Sequence, residues 1–345
     1  MLSASHQRLL FFSLGLGPLL FGLWFQGLPG TSATQWLEQL RPKSENQTTI
    51  CEPARQRQLS LNITDKDDKF VSSLRTEDLA LTVDKNPTEI LSLETKLDEP
   101  LAVVILIDTS MSQEEVFPQT KLAAQKFVEW VFKSKKDRAA VVTFAGEATV
   151  EADLTDDPNA LRVAIRQIAT QRAPDYVVNG TAGRGSPPIQ PRRQGTTAMW
   201  DAIWASSDEI LKPVTNTRRV IFLLTDGSDS SSMSRWRETI LHTALNDVAV
   251  FAIGINEWNE LSLVGRKNLD DLTETTGGRK FLLKKIQDIP GIFAKIEPEI
   301  RSRYVISYCA TTPPSPDDPP KVHLELKNSQ LRESNPRLLY RRYAQ

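Results

Sequence analysis

The chain has 345 residues, with 42 basic and 43 acidic side chains and a formal charge of −1. That length fits roughly two domains of about 150 residues, and the balanced charge argues against a general nucleic-acid binder, which carries a basic excess. Three histidines and two cysteines make a His/Cys zinc cluster implausible, so oxygen ligands would have to hold any metal.

Residues 9–30 carry no charged side chain and follow Arg8. A positive start, an apolar run and small residues beyond it (Gly30, Thr31, Ser32, Ala33) read as a secretory signal. The run is long for a signal and near the lower limit for crossing a bilayer, so an uncleaved membrane anchor stays open beside cleavage. Either reading of residues 1–33 sends the body to an exported location, periplasmic or extracellular. Residues 34–58 are polar, lack a clear period and read as a tether. In residues 59–98 the text changes. LSLNITD, LALTVDK and EILSLETK alternate apolar with polar residues between turn signals, which predicts antiparallel strands.

Residues 101–107 (LAVVILI) form an unbroken apolar run ending at Asp108. Such a run suits a strand buried on both faces of a parallel sheet. Helical spacing follows over residues 119–133, then a strand over 138–144. Pro158 opens a helix reaching residue 168, as proline does in a first turn. Helices are expected at 197–211, 235–245, 269–276 (closed by Gly277-Gly278) and 289–300, and strands at 220–224 and 248–255. Strands alternating with helices predict an α/β domain over residues 99–303, a doubly wound, mostly parallel sheet. Strands return at 304–309, 322–326 and 337–340, with a proline-rich turn at 313–320. Residues 59–98 and 304–345 are each too small to be stable alone. They are expected to pair into one small flanking β lobe formed by the N- and C-terminal segments. Two unrelated β appendages are the alternative.

Three short pieces sit where a site belongs in an open α/β sheet, outside the carboxyl ends of the strands. Asp108-Thr109-Ser110-Met111-Ser112 follows the first buried strand. Gly195-Thr196-Thr197 opens a helix. Thr225-Asp226-Gly227 ends a later buried strand. Together they resemble the von Willebrand factor type A domain, whose metal-ion-dependent adhesion site is built from such pieces. The resemblance implies metal ligation by Asp108, Ser110, Ser112, Thr197 and Asp226. It covers residues 101–300. TDKDDKF (64–70), LDDLTETTGGRKF (269–281) and RSRYVISY (301–308) further resemble a bacterial, exported subgroup. Met111 departs from the glycine common there, and residues 174–194 form a long Gly-, Pro- and Arg-rich insertion before Thr197.

Hydroxyl and carboxylate oxygens are hard ligands and favour Mg²⁺, with Mn²⁺ or Ca²⁺ as alternatives. A protein partner presenting a carboxylate would complete the metal shell. The function so implied is a non-enzymatic, metal-dependent adhesion or assembly module. A metal-assisted hydrolase and a scaffold with an unoccupied site are the alternatives. In the scaffold reading Ser112 and Thr197 merely cap helices. Ser228 and Ser230–Ser232 read as a solvated loop, and Arg172, Arg184, Arg192 and Arg193 as a charge run or an acidic-partner contact. His242 reads as an ordinary helix residue, and Trp200 and Trp204 as core packing. If the flanks pair, Cys51 and Cys309 can meet in a disulfide, which an exported location permits. A buried free thiol at Cys309 is the other reading.

Overall fold

A computed structural model describes residues 51–170, 197–255, 263–283, 285–310 and 319–343. The expected signal or anchor and residues 171–196 lie outside the described residues, as do Arg172, Arg184, Arg192, Arg193 and Thr196. Among the described residues no helix is long and apolar enough to cross a membrane.

The strands in chain order are β1 (Gln56–Thr64), β2 (Leu79–Val83), β3 (Asn86–Thr88), β4 (Ile90–Lys96), β5 (Leu101–Asp108), β6 (Arg138–Phe144), β7 (Ala148–Thr155), β8 (Arg218–Leu224), β9 (Val248–Ile255), β10 (Arg279–Leu283), β11 (Arg303–Cys309), β12 (Val322–Leu326) and β13 (Arg337–Tyr340). The described helices are α1 (Phe117–Val131), α2 (Pro158–Gln167), α3 (Met199–Ala205), α4 (Trp236–Leu245), α5 (Leu263–Thr276), α6 (Ile289–Arg301) and α7 (Ser329–Glu333). The expected tether end at residue 58 falls inside β1.

Six strands form the central sheet in the order β10-β9-β8-β5-β6-β7. All neighbours are parallel except the β6/β7 pair. In β5 the alternation of the pleat divides an all-apolar run between two cores. Leu101, Val103, Ile105 and Ile107 face α1, α2 and α6. Ala102, Val104 and Leu106 face α3, α4 and α5. The sheet is therefore doubly wound, as expected. The strand order reverses between β5 and β8, with β6 and β7 added on one side and β9 and β10 on the other, so the crevice at their carboxyl ends is the switch point where such sheets bind ligands.

Three strands escaped the sequence reading. β3, only three residues long, lies in a stretch read as a turn signal. β7 is an exposed edge strand whose charges mask its alternation, and β10 is a short edge strand. The helix expected at 197–211 starts at Met199 and widens into a π-helical turn over Ser206–Leu211. The residue just before β10, Gly278, has to be glycine because a Cβ there would lie 2.0 Å from the Val250 carbonyl oxygen.

The two chain ends build one lobe of two sheets, ordered β13-β1-β11-β4 and β12-β2-β3. All their pairings are antiparallel. Leu59, Leu61, Ile63, Leu81, Tyr304, Ile306 and Leu324 are among the residues filling the space between them. Cys51 and Cys309 are joined by a disulfide, beside the Gln56–Cys309 pairing of β1 and β11.

Two ionic clusters fasten lobe to core. In the first, Asp247 follows α4 and receives Arg303 at 3.0 Å and Arg341 at 3.1 Å. Arg218 lies 3.7 Å away, and Arg303 also forks onto Glu99. In the second, Asp68 accepts from Arg279 and Arg337, while Arg279 also reaches Glu299 at 2.7 Å. The TDKDDKF and GGRKF segments, apart in sequence, thus meet in one cluster.

Candidate metal centre

Asp108 ends β5 with its side chain fully buried. Its Oδ1 accepts from the Ser110 amide at 3.0 Å and the Ser110 hydroxyl at 2.6 Å. The Ser110 and Ser112 Oγ atoms are hydrogen-bonded at 3.0 Å. Ser110 is buried and Ser112 exposed, so this row of oxygens runs from the sheet end to the surface. From β8, Thr225 donates its hydroxyl to Asp108 Oδ2 at 2.8 Å and accepts from the Gly227 amide at 2.9 Å. Gly227 has φ +82°, the left-handed region that glycine adopts without penalty. Asp226, between them, is partly buried and takes the Ser228 amide on Oδ1.

Loss of solvent pushes the Asp108 carboxyl up to about 7, and the like charge of Asp226 adds to the rise. Hydrogen bonds from Ser110 and Thr225 oppose it. Among the described residues, no basic side chain is among the main groups acting on it. Two carboxylates near enough to feel each other's charge, with hydroxyls beside them, make a favourable seat for a small hard cation. The donor set therefore fits the expected metal. Among the described residues no group of three or more His, Cys, Asp or Glu side chains could hold a metal ion. A site with only two carboxylates among its expected ligands does not need such a group.

Thr197 is buried ahead of α3. Its amide donates to Ser230 Oγ at 2.9 Å, and its carbonyl accepts from the Ser230 and Ser231 amides at 2.8 and 3.0 Å. The next residue, Ala198, donates its amide to the Ala145 carbonyl. Thr197 is thereby held to the loop that follows Asp226.

The capping alternative fails on position. The N-cap of α1 is Val116 and that of α3 is Ala198, so neither Ser112 nor Thr197 caps a helix. Asp229 serves α3 instead, accepting from the Met199 amide at 2.8 Å and the Ser232 hydroxyl at 2.5 Å. Burial raises the Asp229 carboxyl above its ordinary range. Ser232 in turn accepts from the Trp200 amide at 3.0 Å. The loop read as solvated is therefore partly structural, because Ser230 and Ser232 bind the helix start. Sequence reasoning missed Thr225 and Asp229. Thr225 stood in plain view in the Thr-Asp-Gly element, but nothing local announces a bond to Asp108.

The other candidates lie elsewhere. His242 accepts or donates at 3.0 Å with Asp208 and stacks on Trp204 at 3.8 Å. Trp200 packs in the core. His323 sits exposed in the lobe with Glu325.

Residues 103–228 match the von Willebrand factor type A domain. No curated protein matches the chain. Among solved structures, the chain is similar to proximal thread matrix protein 1 from the mussel byssus with a zinc-occupied MIDAS motif. Identity is 12%, covering 58% of this chain and 48% of that one, with a TM-score of 0.44. The chain thus spans about half the length of the mussel protein. BatB from Bacteroides thetaiotaomicron, a conserved hypothetical protein, matches at 16% identity over 58% of this chain and 98% of its own, with a TM-score of 0.43. A von Willebrand factor type A structure from Catenulispora acidiphila matches at 13% identity over 85% of this chain and 75% of its own, with a TM-score of 0.46. The matched residues run from within β5 to just past Asp226, through the switch point of the central sheet, and it is over this stretch that the chain matches a von Willebrand factor type A domain.

Proposed function

We propose that the chain is a non-enzymatic, metal-dependent protein-binding module, with Asp108, Ser110, Ser112, Thr197 and Asp226 as the metal site. The observation that carries this is the buried Asp108 carboxylate, within reach of the charge of Asp226 and continued outward by the linked hydroxyls of Ser110 and Ser112. Ser110 and Thr225 orient Asp108. Ser230 and Ser232 hold the Thr197 element against the same loop. A Mg²⁺ ion bound there would keep enough positive character to accept one more oxygen, from a carboxylate of a partner protein. Binding of that kind needs no general base. The described histidines, His242 and His323, are engaged with Asp208 and Glu325 rather than with this site.

We infer an exported location from the uncharged run at residues 9–30 and from the Cys51–Cys309 disulfide, a bond that persists in oxidising compartments.

The test is calorimetric titration of Mg²⁺, Mn²⁺ and Ca²⁺ into wild type and Asp108→Ala. Binding to wild type and its loss in the variant is the expected result. Equal uptake by both proteins, or by neither, overturns the assignment. A pull-down from the exported fraction, with and without EDTA, then tests the partner.

A further inference from the structure

A second site lies away from the metal centre. A groove of about 670 Å³ opens between α4 and α5 and the ends of β12 and β13. That volume falls inside the range of about 300–1,000 Å³ typical of ligand sites. None of Asp108, Ser110, Ser112, Thr197 and Asp226 lines it. Its floor is apolar, from the buried Ile240 and Val322. Aromatic side chains, Trp236, Tyr340 and Tyr343, flank that floor.

The rim is basic. Arg237, Lys267, Lys321, Arg342 and His323 line the groove, and Asp271 is the lining carboxylate. Glu274 takes up Arg342 at 2.6 Å, and Glu325 takes up His323 at 2.9 Å. Among the described residues, neither ion pair engages Arg237, Lys267 or Lys321. These three are exposed. Arg237 instead lies over the Trp236 ring at 4.9 Å. A chain with charge near zero has here gathered more cations than carboxylates around an apolar, aromatic floor.

We propose that this groove binds an acidic peptide segment of a partner protein, one carrying an aromatic side chain among its carboxylates. The three exposed cations come from three separate elements, α4, α5 and the start of β12. Charge spread around a rim in this way matches several carboxylates along a strand rather than one phosphate. The apolar floor takes the aromatic ring, and Trp236 and the tyrosines offer edges and faces to it. A nucleic acid would need a wider basic field than a chain with 42 basic and 43 acidic residues supplies.

The experiment uses the full chain in excess EDTA, so that the metal site plays no part. The probe is a fluorescent random copolymer of glutamate and tyrosine, followed by anisotropy. Polyglutamate and a single-stranded oligonucleotide of equal charge serve as comparisons. The copolymer is expected to bind best, with an affinity that falls as salt rises. The double variant Lys267→Glu/Lys321→Glu should bind about tenfold more weakly, while Asp108→Ala binds as wild type does. Thermal unfolding checks that the charge-reversed protein is folded, and Arg237→Glu is a second, independent variant. No copolymer binding, equal binding by the charge-reversed variants, or equally tight oligonucleotide binding overturns the proposal.

Discussion

The Thr225 hydroxyl donates to Asp108 Oδ2 at 2.8 Å and so ties the end of β8 to the end of β5. The same oxygen accepts the Gly227 amide, which sets the turn that carries Asp226. One buried hydroxyl thus positions both carboxylates. Thr225→Val keeps the shape and removes both bonds. The Gly227 amide and Asp108 Oδ2 would then be left without this partner, at a cost of about 1–3 kcal/mol. Mg²⁺ affinity should also fall about tenfold, as it does when a group orienting a metal ligand is lost. Urea denaturation and calorimetry measure the two effects separately. Unchanged affinity in a destabilised variant would show that Thr225 is structural only.

The disulfide closes the lobe where the chain enters β1 and leaves β11. It links positions 258 apart in sequence, so it holds the two flanks to each other even when the lobe loosens. Replacing Cys51 and Cys309 by serine should lower stability by about 2–5 kcal/mol. Thiol titration of the denatured wild type should find none before reduction and two after it, since the chain has two cysteines. Two thiols before reduction would rule the bond out.

Much of this fold could be read from residue order because burial leaves a strong local pattern. The apolar runs of β5, β8 and β9 announce strands covered on both faces, and the end of β5 and the turn after β8 hold Asp108 and Asp226. What escaped reading depends on contacts between distant positions. Asp229 lies 30 residues from Met199, yet accepts its amide. β7 alternates Val150, Ala152 and Leu154 with acidic residues, as an exposed edge strand does, and so resembles a loop. The groove and the ionic clusters arise only when α4, α5 and the two chain ends are folded together.

Asp247 carries the last prediction, on acid stability. Arg341, Arg303 and Arg218 hold its carboxyl well below the usual carboxylate range, against the opposing effect of burial. In the unfolded chain an aspartate titrates near about 3.9. The folded state therefore binds fewer protons, and the stability this group contributes is fully present above about pH 4. It is lost as the pH falls further, through the depressed folded value. Asp247→Asn separates charge from shape. The residue has φ +53°, a left-handed conformation that asparagine adopts readily. The variant leaves buried Arg218 and Arg341 without this counter-charge and should lose about 3 kcal/mol at neutral pH. Its stability should also change less than that of wild type between about pH 4 and pH 2. Urea midpoints of both proteins across that interval provide the measurement. Parallel acid limbs would show that Asp247 does not tie the lobe to the core through its charge.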